Sequence, residues 1–229
     1  MQTIVTTLLT ADLDHTDAAS PRSTASIAPG ANTQIRVYWS SSAATTGPDV
    51  VVTGLGLTWT PQVSSVDGGR AMGLSTAMTG GSPPTPGVLT LTSAATDTGI
   101  AWCVLGDVGV DLAAPLRQAG VLGGGPADTS TSTTATVTLS ATDNAANRPG
   151  LWVAHRGNTA TTPRANWTEL WNLGSSGPNM DYEYQQRTDA FEATCTATWT
   201  TAVRWQAIAV ELRAAADVGG DPSYWGVLA

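Results

Sequence analysis

The stretch Arg204-Trp-Gln-Ala-Ile-Ala-Val-Glu-Leu-Arg213, near the end of the chain, decides which fold the sequence predicts. Alternate residues of a strand share a face. Apolar residues occupy both faces of this stretch, with Ile208, Val210 and Leu212 on one face and Trp205, Ala207 and Ala209 on the other, followed by Glu211. A strand that is apolar on both faces and polar at its ends is covered on both sides. The stretch therefore predicts a central strand of a packed β-sandwich.

Short strand-like runs, separated by turn residues, fill the rest of the chain. They fall at residues 2–10, 34–39, 50–53, 57–60, 70–78, 88–92, 100–105, 134–140, 151–156, 167–171, 180–187 and 194–200. Such spacing is typical of a sandwich or jelly roll, and not of alternating strands and helices. The one helix-like turn covers residues 111–119 and contains Pro115, which disfavours a helix interior. We predict an all-β, antiparallel, jelly-roll-like β-sandwich with at most one short helix.

The domain organisation follows from length and from a change in the sequence after Arg213. A chain of 229 residues can bury one sizeable core, and no period of about 20–50 residues repeats in it. We predict one domain over residues 1–213 and a C-terminal segment, residues 214–229. This segment either folds back on its own domain or docks on a neighbouring subunit. Its interface candidates are Tyr224, Trp225, Val227 and Leu228, because buried Tyr and Trp are preferred interface anchors.

Charge and composition limit the partners of the chain. The net charge is −8 and only 12% of the residues are charged, with no lysine. Binding to a phosphate backbone or to an anionic lipid surface needs clustered cations, so neither nucleic acid nor a membrane surface is an expected partner. No apolar run approaches the roughly 18 residues of a membrane span, and residues 1–9 lack the pattern of a signal peptide. We therefore expect synthesis in a cytoplasm, where Cys103 and Cys195 would be buried thiols.

The residues that enzymes and metal sites use are sparse and scattered. A Ser or Cys nucleophile needs an adjacent His, but the only histidines are His15 and His155, and no Gly-x-Ser-x-Gly motif is present. The acidic run from Asp12 to Asp17 lacks the central Gly and closing Glu of an EF-hand, so we interpret it as a solvated loop. We predict no catalytic residue, no metal site and no cofactor.

Sugar binding is the one alternative chemistry that the residues leave open. Glu169 and Glu183 could act as paired carboxylates, and Trp167 and Trp171 could stack on a sugar. By a period of two, Glu169 shares its face with both tryptophans, which also suits packing between sheets. Packing is the favoured interpretation, and Trp167 and Trp171 remain carbohydrate candidates.

Two charges lie within strand-like runs that are otherwise apolar. Arg36 and Glu211 would each be costly to bury without a partner. We hypothesise that one or both have a charged partner across the sheet, which could be the other member of this pair.

Two short motifs resemble a family of virion proteins. The run Val52-Thr-Gly-Leu-Gly-Leu-Thr-Trp-Thr60 resembles a Gly-x-Gly-Leu-Thr-Trp-Thr segment of small β-sandwich proteins in virions of phages that infect actinobacteria, and of related bacterial proteins. Trp205-Gln-Ala-Ile-Ala-Val-Glu-Leu212 is similar to the last strand of these proteins. The Thr-rich run 134–140 and the Trp-bearing run 151–156 fall between the motifs in the expected order. After Leu-Thr-Trp, the family continues into a strand with an internal Trp, whereas residues 70–78 carry Met72 and Leu74.

The resemblance implies a non-enzymatic virion structural protein, made in the host cytoplasm and assembled into the particle. Its expected partners are other virion proteins and further copies of itself, in symmetric contacts for which a trimer is one arrangement. A minor tail protein is the first expectation, and a capsid decoration protein is the alternative. A carbohydrate-binding module that recognises a host surface glycan remains a further alternative.

Overall fold

The computed structural model describes residues 3–14, 21–42, 50–67, 70–93, 99–122, 131–156, 161–173 and 180–216. Within these ranges the protein contains strands and no helix, and the strands form antiparallel sheets packed in a sandwich-like arrangement. The predicted all-β fold class is confirmed.

The described part of the chain contains sixteen strands. They are β1 (Val5–Asp14), β2 (Arg22–Ser23), β3 (Gln34–Ser42), β4 (Val50–Gly54), β5 (Thr60–Asp67), β6 (Arg70–Met78), β7 (Leu89–Ser93), β8 (Ile100–Val108), β9 (Leu116–Leu122), β10 (Ser132–Thr138), β11 (Arg148–Arg156), β12 (Thr162–Pro163), β13 (Trp167–Leu173), β14 (Met180–Arg187), β15 (Thr194–Val203) and β16 (Trp205–Leu212).

The two halves of the chain repeat one topology. Strands β1 to β8 form a five-stranded sheet of order β1-β8-β3-β6-β5 (inner sheet 1) and a three-stranded sheet of order β2-β7-β4 (outer sheet 1). Strands β9 to β16 form sheets of order β9-β16-β11-β14-β13 (inner sheet 2) and β10-β15-β12 (outer sheet 2). The second pair of orders is the first with eight added to every strand number, so the fold is an internal duplication.

Each half has the nested pairing of a jelly roll. The first strand pairs with the eighth, the second with the seventh and the third with the sixth. The fifth strand lies beside the sixth instead of the fourth, which makes the sheets five-stranded and three-stranded.

The four sheets stack in layers that enclose three apolar cores. The first core lies between outer and inner sheet 1, the middle core between the two inner sheets, and the last core between inner and outer sheet 2. Both inner sheets are therefore covered on both faces. In β3, Val37 and Trp39 enter the first core, whereas Tyr38 enters the middle core. The alternation of a strand places neighbouring residues in different cores.

Equivalent residues of the two halves meet in the middle core. Tyr38 lies opposite Cys103 of β8, and Trp152 lies opposite Ile208 of β16, so the two aromatic residues occupy the same position in their halves. Their rings stack with centroids 5.8 Å apart and an interplanar angle of 21°. Such a contact between equivalent residues is what a two-fold symmetric interface produces.

The stretch that predicts the fold forms β16, an interior strand between β11 and β9. Ile208 and Val210 lie in the middle core, and Ala207 and Ala209 lie in the last core, all fully buried. The prediction that this strand is covered on both faces is confirmed.

Residues 111–119 form no helix, because Pro115 disfavours helical backbone before it and β9 begins at Leu116, which agrees with the prediction of at most one short helix. Two other local predictions are wrong. Residues 57–59 form no strand, since a turn at Gly54–Gly56 delays β5 until Thr60. Asp12 and Asp14 lie in β1 and not in a loop, and Asp14 forms an ion pair with Arg22.

The prediction of one domain over residues 1–213 stays a prediction, because the repeated topology leaves open whether either half folds alone. Of the C-terminal segment, residues 217–229 lie outside the described residues.

A buried ion pair of the first half contacts the second half in the middle core. Arg36 Nε lies 2.6 Å from Asp107 Oδ2 and Nη2 lies 2.8 Å from Oδ1, with both side chains fully buried. Arg36 Nη1 donates to the Tyr38 hydroxyl at 2.8 Å and to the Tyr184 hydroxyl, in the other half, at 2.7 Å. Thr6 also donates to Asp107. Burial lowers the pKa of Arg36, but the Asp107 carboxylate and the two tyrosines more than offset this and hold the pKa well above its ordinary value.

The second buried charge has its own partner. Glu211 accepts hydrogen bonds from Arg117 at 2.6 Å, Thr142 at 2.6 Å and Asn147 at 2.6 Å, and from Gln118. Burial raises the pKa of Glu211, and these hydrogen bonds outweigh it, so that the pKa lies below its ordinary value. The hypothesis of charged partners is confirmed for both residues, but Arg36 and Glu211 do not pair with each other.

Asp107→Asn should destabilise the protein by about 3–5 kcal/mol, because it leaves the buried Arg36 charge without its partner. The double variant Arg36→Met/Asp107→Leu should recover most of that loss, because it removes both charges. Denaturant unfolding of the three proteins measures the difference. A double variant as unstable as Asp107→Asn would contradict this account of the pair.

Candidate functional site

Ionisable side chains converge at one end of the second half, between inner sheet 2 and outer sheet 2. His155 lies near the end of β11 and is the cross-strand partner of Asp181 on β14. Glu183 is two residues further along β14 and therefore shares the face of Asp181. Thr161 precedes β12 of the outer sheet. We call these four residues the buried polar cluster.

Short distances and aromatic packing hold the cluster together. His155 Nε2 lies 3.1 Å from Thr161 Oγ1 and 3.9 Å from Asp181 Oδ2. The His155 ring stacks on Trp199 of β15, with centroids 4.4 Å apart and an interplanar angle of 14°. No member of the cluster is more than 5% exposed.

Glu183 is the member with the least compensation for burial. Neither of its carboxylate oxygens has a partner in normal hydrogen-bond geometry in the described part of the chain. Burial raises the pKa of Glu183 to about 8, and the negative charge of Glu169 adds to the rise. The Thr161 hydroxyl opposes this rise to a smaller extent. Glu183 is therefore mostly protonated at neutral pH.

His155 is held in its uncharged form. Burial lowers the pKa of His155 to about 4, and a backbone hydrogen bond at Arg156 offsets part of the shift. At neutral pH His155 is neutral beside the protonated Glu183. This state limits the cost of placing ionisable groups between two sheets.

The arrangement has the chemical groups of an acid–base site but not the access. A general acid or base must come within hydrogen-bonding reach of a substrate, and these side chains are buried. Among the residues that the structure describes, no group of three or more His, Cys, Asp or Glu side chains could hold a metal ion. Burial displaces the pKa values of His155 and Glu183, which makes stability depend on pH.

The two carbohydrate candidates lie on opposite faces of inner sheet 2. Trp167 is buried in the last core, and its Nε1 donates to Glu192 at 3.2 Å. Trp171 packs against the middle core and stacks on Trp152, with centroids 5.5 Å apart. A register shift between Glu169 and Trp171 reverses the alternation of β13. The expectation that Trp167, Glu169 and Trp171 share one face is therefore wrong, and the two tryptophans do not form one stacking platform.

The structure does bring the two candidate carboxylates near one another. Asn172 of β13 lies opposite Glu183, and its Nδ2 donates to Glu169 at 3.2 Å. Glu169 is exposed whereas Glu183 is fully buried. The charge of Glu169 therefore acts on Glu183, but solvent reaches Glu169 and does not reach Glu183.

The other sequence candidates fall in cores or outside the described residues. Cys103 lies in the middle core and Cys195 in the last core, both as free buried thiols, which confirms that prediction. Burial raises the pKa of both thiols, to about 12 for Cys195, so neither is a reactive nucleophile. Residues outside the described ranges are His15, Asp17, Tyr224, Trp225, Val227 and Leu228.

Sequence analysis missed Thr161 and Asp181. The signal for Asp181 is the alternation in Asp181-Tyr-Glu-Tyr-Gln185, which separates polar from aromatic residues. Such a pattern ordinarily indicates a solvent-facing polar side. Only the covering outer sheet turns that side into an interior.

No family model, no curated protein and no solved structure matches this chain. Among the described residues, no helix is long and apolar enough to cross a membrane.

Stability should fall between about pH 6.5 and pH 8. In the unfolded chain Glu183 loses its proton near its ordinary pKa of 4.5, whereas in the folded protein it keeps the proton up to about pH 8. The extra proton of the folded state favours folding at the lower pH. His155 acts in the opposite direction between about 4 and 6.5, so the two effects oppose each other there. Above that range and up to about pH 8, Glu183 alone among the described groups with a displaced pKa changes its protonation, with a slope of up to about 1.4 kcal/mol per pH unit.

Chemical denaturation at a series of pH values tests this expectation. Glu183→Gln should abolish the decline above pH 6.5, whereas His155→Gln should leave it in place. If Glu183→Gln retains the full decline, another group is responsible.

Proposed function

We propose that this chain is a non-enzymatic virion structural protein, a minor tail protein that assembles with other virion proteins and with copies of itself. The two sequence motifs that resemble phage β-sandwich proteins motivate the proposal. The observation that carries it is an exposed apolar patch beside the point where the C-terminal segment leaves the fold.

The patch consists of Val5, Val108 and Leu112. Val5 and Val108 are cross-strand partners on β1 and β8, and Leu112 follows in the connection between the halves. Their exposed fractions are 51%, 43% and 54%. Val108 and Leu112 also line a cleft of about 420 Å³. Exposed apolar groups that cluster at a cleft are typical of an interaction site.

The last described residues run along the same cleft. Ala214 forms an antiparallel bridge with Val110, and the amide of Ala215 donates to the Gly109 carbonyl at 3.0 Å. Ala215 and Ala216 line the cleft together with Val108 and Leu112. The chain thus continues towards Tyr224 and Trp225 from an apolar surface.

The reach of residues 217–229 is compatible with docking between copies. Residues 217–229 number thirteen and can span at most about 45 Å when extended. That reach allows Tyr224, Trp225, Val227 and Leu228 to contact the patch of a neighbouring copy. We propose this exchange of C-terminal segments as the contact that links copies.

The outer faces of the fold also suit a structural protein. Threonines face away from the last core on outer sheet 2, in the cross-strand pairs Thr134–Thr198, Thr136–Thr196 and Thr138–Thr194. A neutral hydroxyl surface keeps a sheet soluble and supplies no reactive group.

A capsid decoration protein could use the same surfaces. Immunogold labelling of intact particles would distinguish a tail location from a capsid location.

Truncation after Ala216 should convert an oligomer into a monomer, because it removes the apolar anchors of the C-terminal segment. Leu112→Asp in the full-length chain should give the same result, because it places a charge in the patch. Sedimentation velocity at matched concentrations measures both outcomes. Thr92→Asp, an exposed substitution on outer sheet 1, serves as the charge-matched control and should leave the oligomer intact.

A full-length protein that is monomeric, or a truncated protein that remains oligomeric, would contradict docking through the C-terminal segment. Absence of the protein from purified particles, judged by mass spectrometry, would contradict the virion assignment itself.

A further inference from the structure

A second cleft lies where the connection between the halves passes inner sheet 1. Its volume is about 630 Å³, within the range of about 300–1,000 Å³ that is usual for small-molecule sites. Its lining includes residues with amide or hydroxyl side chains, namely Gln34, Thr60, Gln62 and Thr76, and Leu57 and Pro115 supply apolar surface. Among the described residues that line the cleft, none carries a formal charge. This lining is separate from the buried polar cluster and from the apolar patch.

One lining residue has a buried hydrogen-bond acceptor without a partner. Gln34 is 1% exposed, and its Oε1 is buried without a partner in the described part of the chain. Buried polar atoms are nearly always paired, so each exception needs an explanation. Because the atom is buried, a ligand hydroxyl would complete the pairing after the Gln34 side chain turns Oε1 towards the cleft.

A neighbouring amide is already oriented. Gln62 Nε2 donates to Thr76 Oγ1 at 2.8 Å, across the pair of strands β5 and β6. This bond fixes the Gln62 side chain at the cleft. Pre-positioned polar groups of this kind give a binding site its selectivity.

The rim of the cleft begins at Gly56, the last residue of a tight turn. Leu55 and Gly56 both have positive φ angles, of 57° and 65°, and the Leu57 amide donates to the Gly54 carbonyl at 3.2 Å. Positive φ is uncommon for a residue as bulky as leucine. A Cβ at Gly54 would lie 2.5 Å from the Val88 carbonyl oxygen, so only glycine fits there. Backbone strain that the surrounding structure maintains is frequent at binding sites.

The lining selects for one ligand chemistry. Amides and hydroxyls complement a ligand that is rich in hydroxyls, and the apolar surface of Leu57 and Pro115 complements the apolar face of a pyranose ring. Without a charged side chain, the lining offers no ion pair to an anionic or cationic ligand. Addition of a peptide strand to the edge strand β5 is less favoured, because β9 of the second half packs beside β5.

We propose that the cleft formed by Gln34, Thr60, Gln62 and Thr76 is a binding site for a short neutral saccharide. With its side chain turned towards the cleft, Gln34 accepts a hydrogen bond from one sugar hydroxyl, Gln62 and Thr60 bind others, and Leu57 and Pro115 contact the ring. The site is independent of assembly through the C-terminal segment, so either proposal can fail without the other.

Saturation-transfer-difference NMR on the full-length protein, followed by calorimetric titration, tests the site. The probes are cellotriose, maltotriose and chitotriose, with trigalacturonate as the anionic comparison and a neutral Gly-Ser-Thr peptide as the polypeptide comparison. We expect at least one neutral trisaccharide to bind with a Kd of about 1 mM or tighter, and neither comparison to bind.

Two variants and one control locate the binding. Gln34→Leu should weaken binding about tenfold or more while the melting temperature stays constant or rises, because the substitution removes an unpaired acceptor. Thr60→Val should weaken binding as well. Thr92→Val, the same change at an exposed threonine of outer sheet 1, should leave the affinity unchanged.

Four results would overturn the proposal. They are failure of all three neutral trisaccharides to bind, equal binding of trigalacturonate, preferential binding of the peptide, and an affinity that Gln34→Leu leaves unchanged.

Discussion

The coverage of two large sheets on both faces is the constraint on which this structure depends. Each inner sheet has an apolar outer side for its own three-stranded sheet and an apolar inner side that only the other half covers. The middle core contains the Arg36–Asp107 pair, and the position of Gly150 shows how the halves adapted to it. Gly150 is the equivalent of Arg36, two residues before Trp152, and a Cβ there would lie 2.1 Å from the Tyr184 hydroxyl. A missing side chain in one half thus makes room for the tyrosine that binds the arginine of the other.

A difference between equivalent positions of the two halves also accounts for the buried polar cluster. The register of β6 and β14 makes Gly73 the equivalent of Glu183. In the first half, the Trp39 indole occupies the space at Gly73, where a Cβ would lie 2.2 Å from it. The equivalent of Trp39 is Val153, which is smaller and leaves space that the Glu183 carboxyl fills. An interior volume that one half fills with an aromatic ring is thus filled in the other by ionisable groups, whose pKa values shift accordingly.

The three notable surfaces of the molecule serve different purposes in the proposed function. The apolar patch and the C-terminal segment concern contacts between copies, and the threonine face of outer sheet 2 concerns solubility. The second cleft, whose described lining carries no formal charge, lies apart from both and is bounded by residues 56–58, within one of the two motifs that resemble phage proteins. A structural protein that also binds a neutral sugar would combine assembly with attachment, and the two roles would use separate residues.

The sequence by itself determined the all-β class, the two-sided burial of β16 and the need of Arg36 and Glu211 for charged partners. These follow from alternation and from the cost of burying a charge, which are local properties. The duplication was hidden, because equivalent positions such as Arg36 and Gly150 have complementary side chains and not similar ones. The faces of Trp167 and Trp171 depended on a register shift in β13, and the polar side of β14 became interior only under outer sheet 2. The tertiary structure decided these features, because strand order, register and coverage depend on contacts between residues that are distant in the chain.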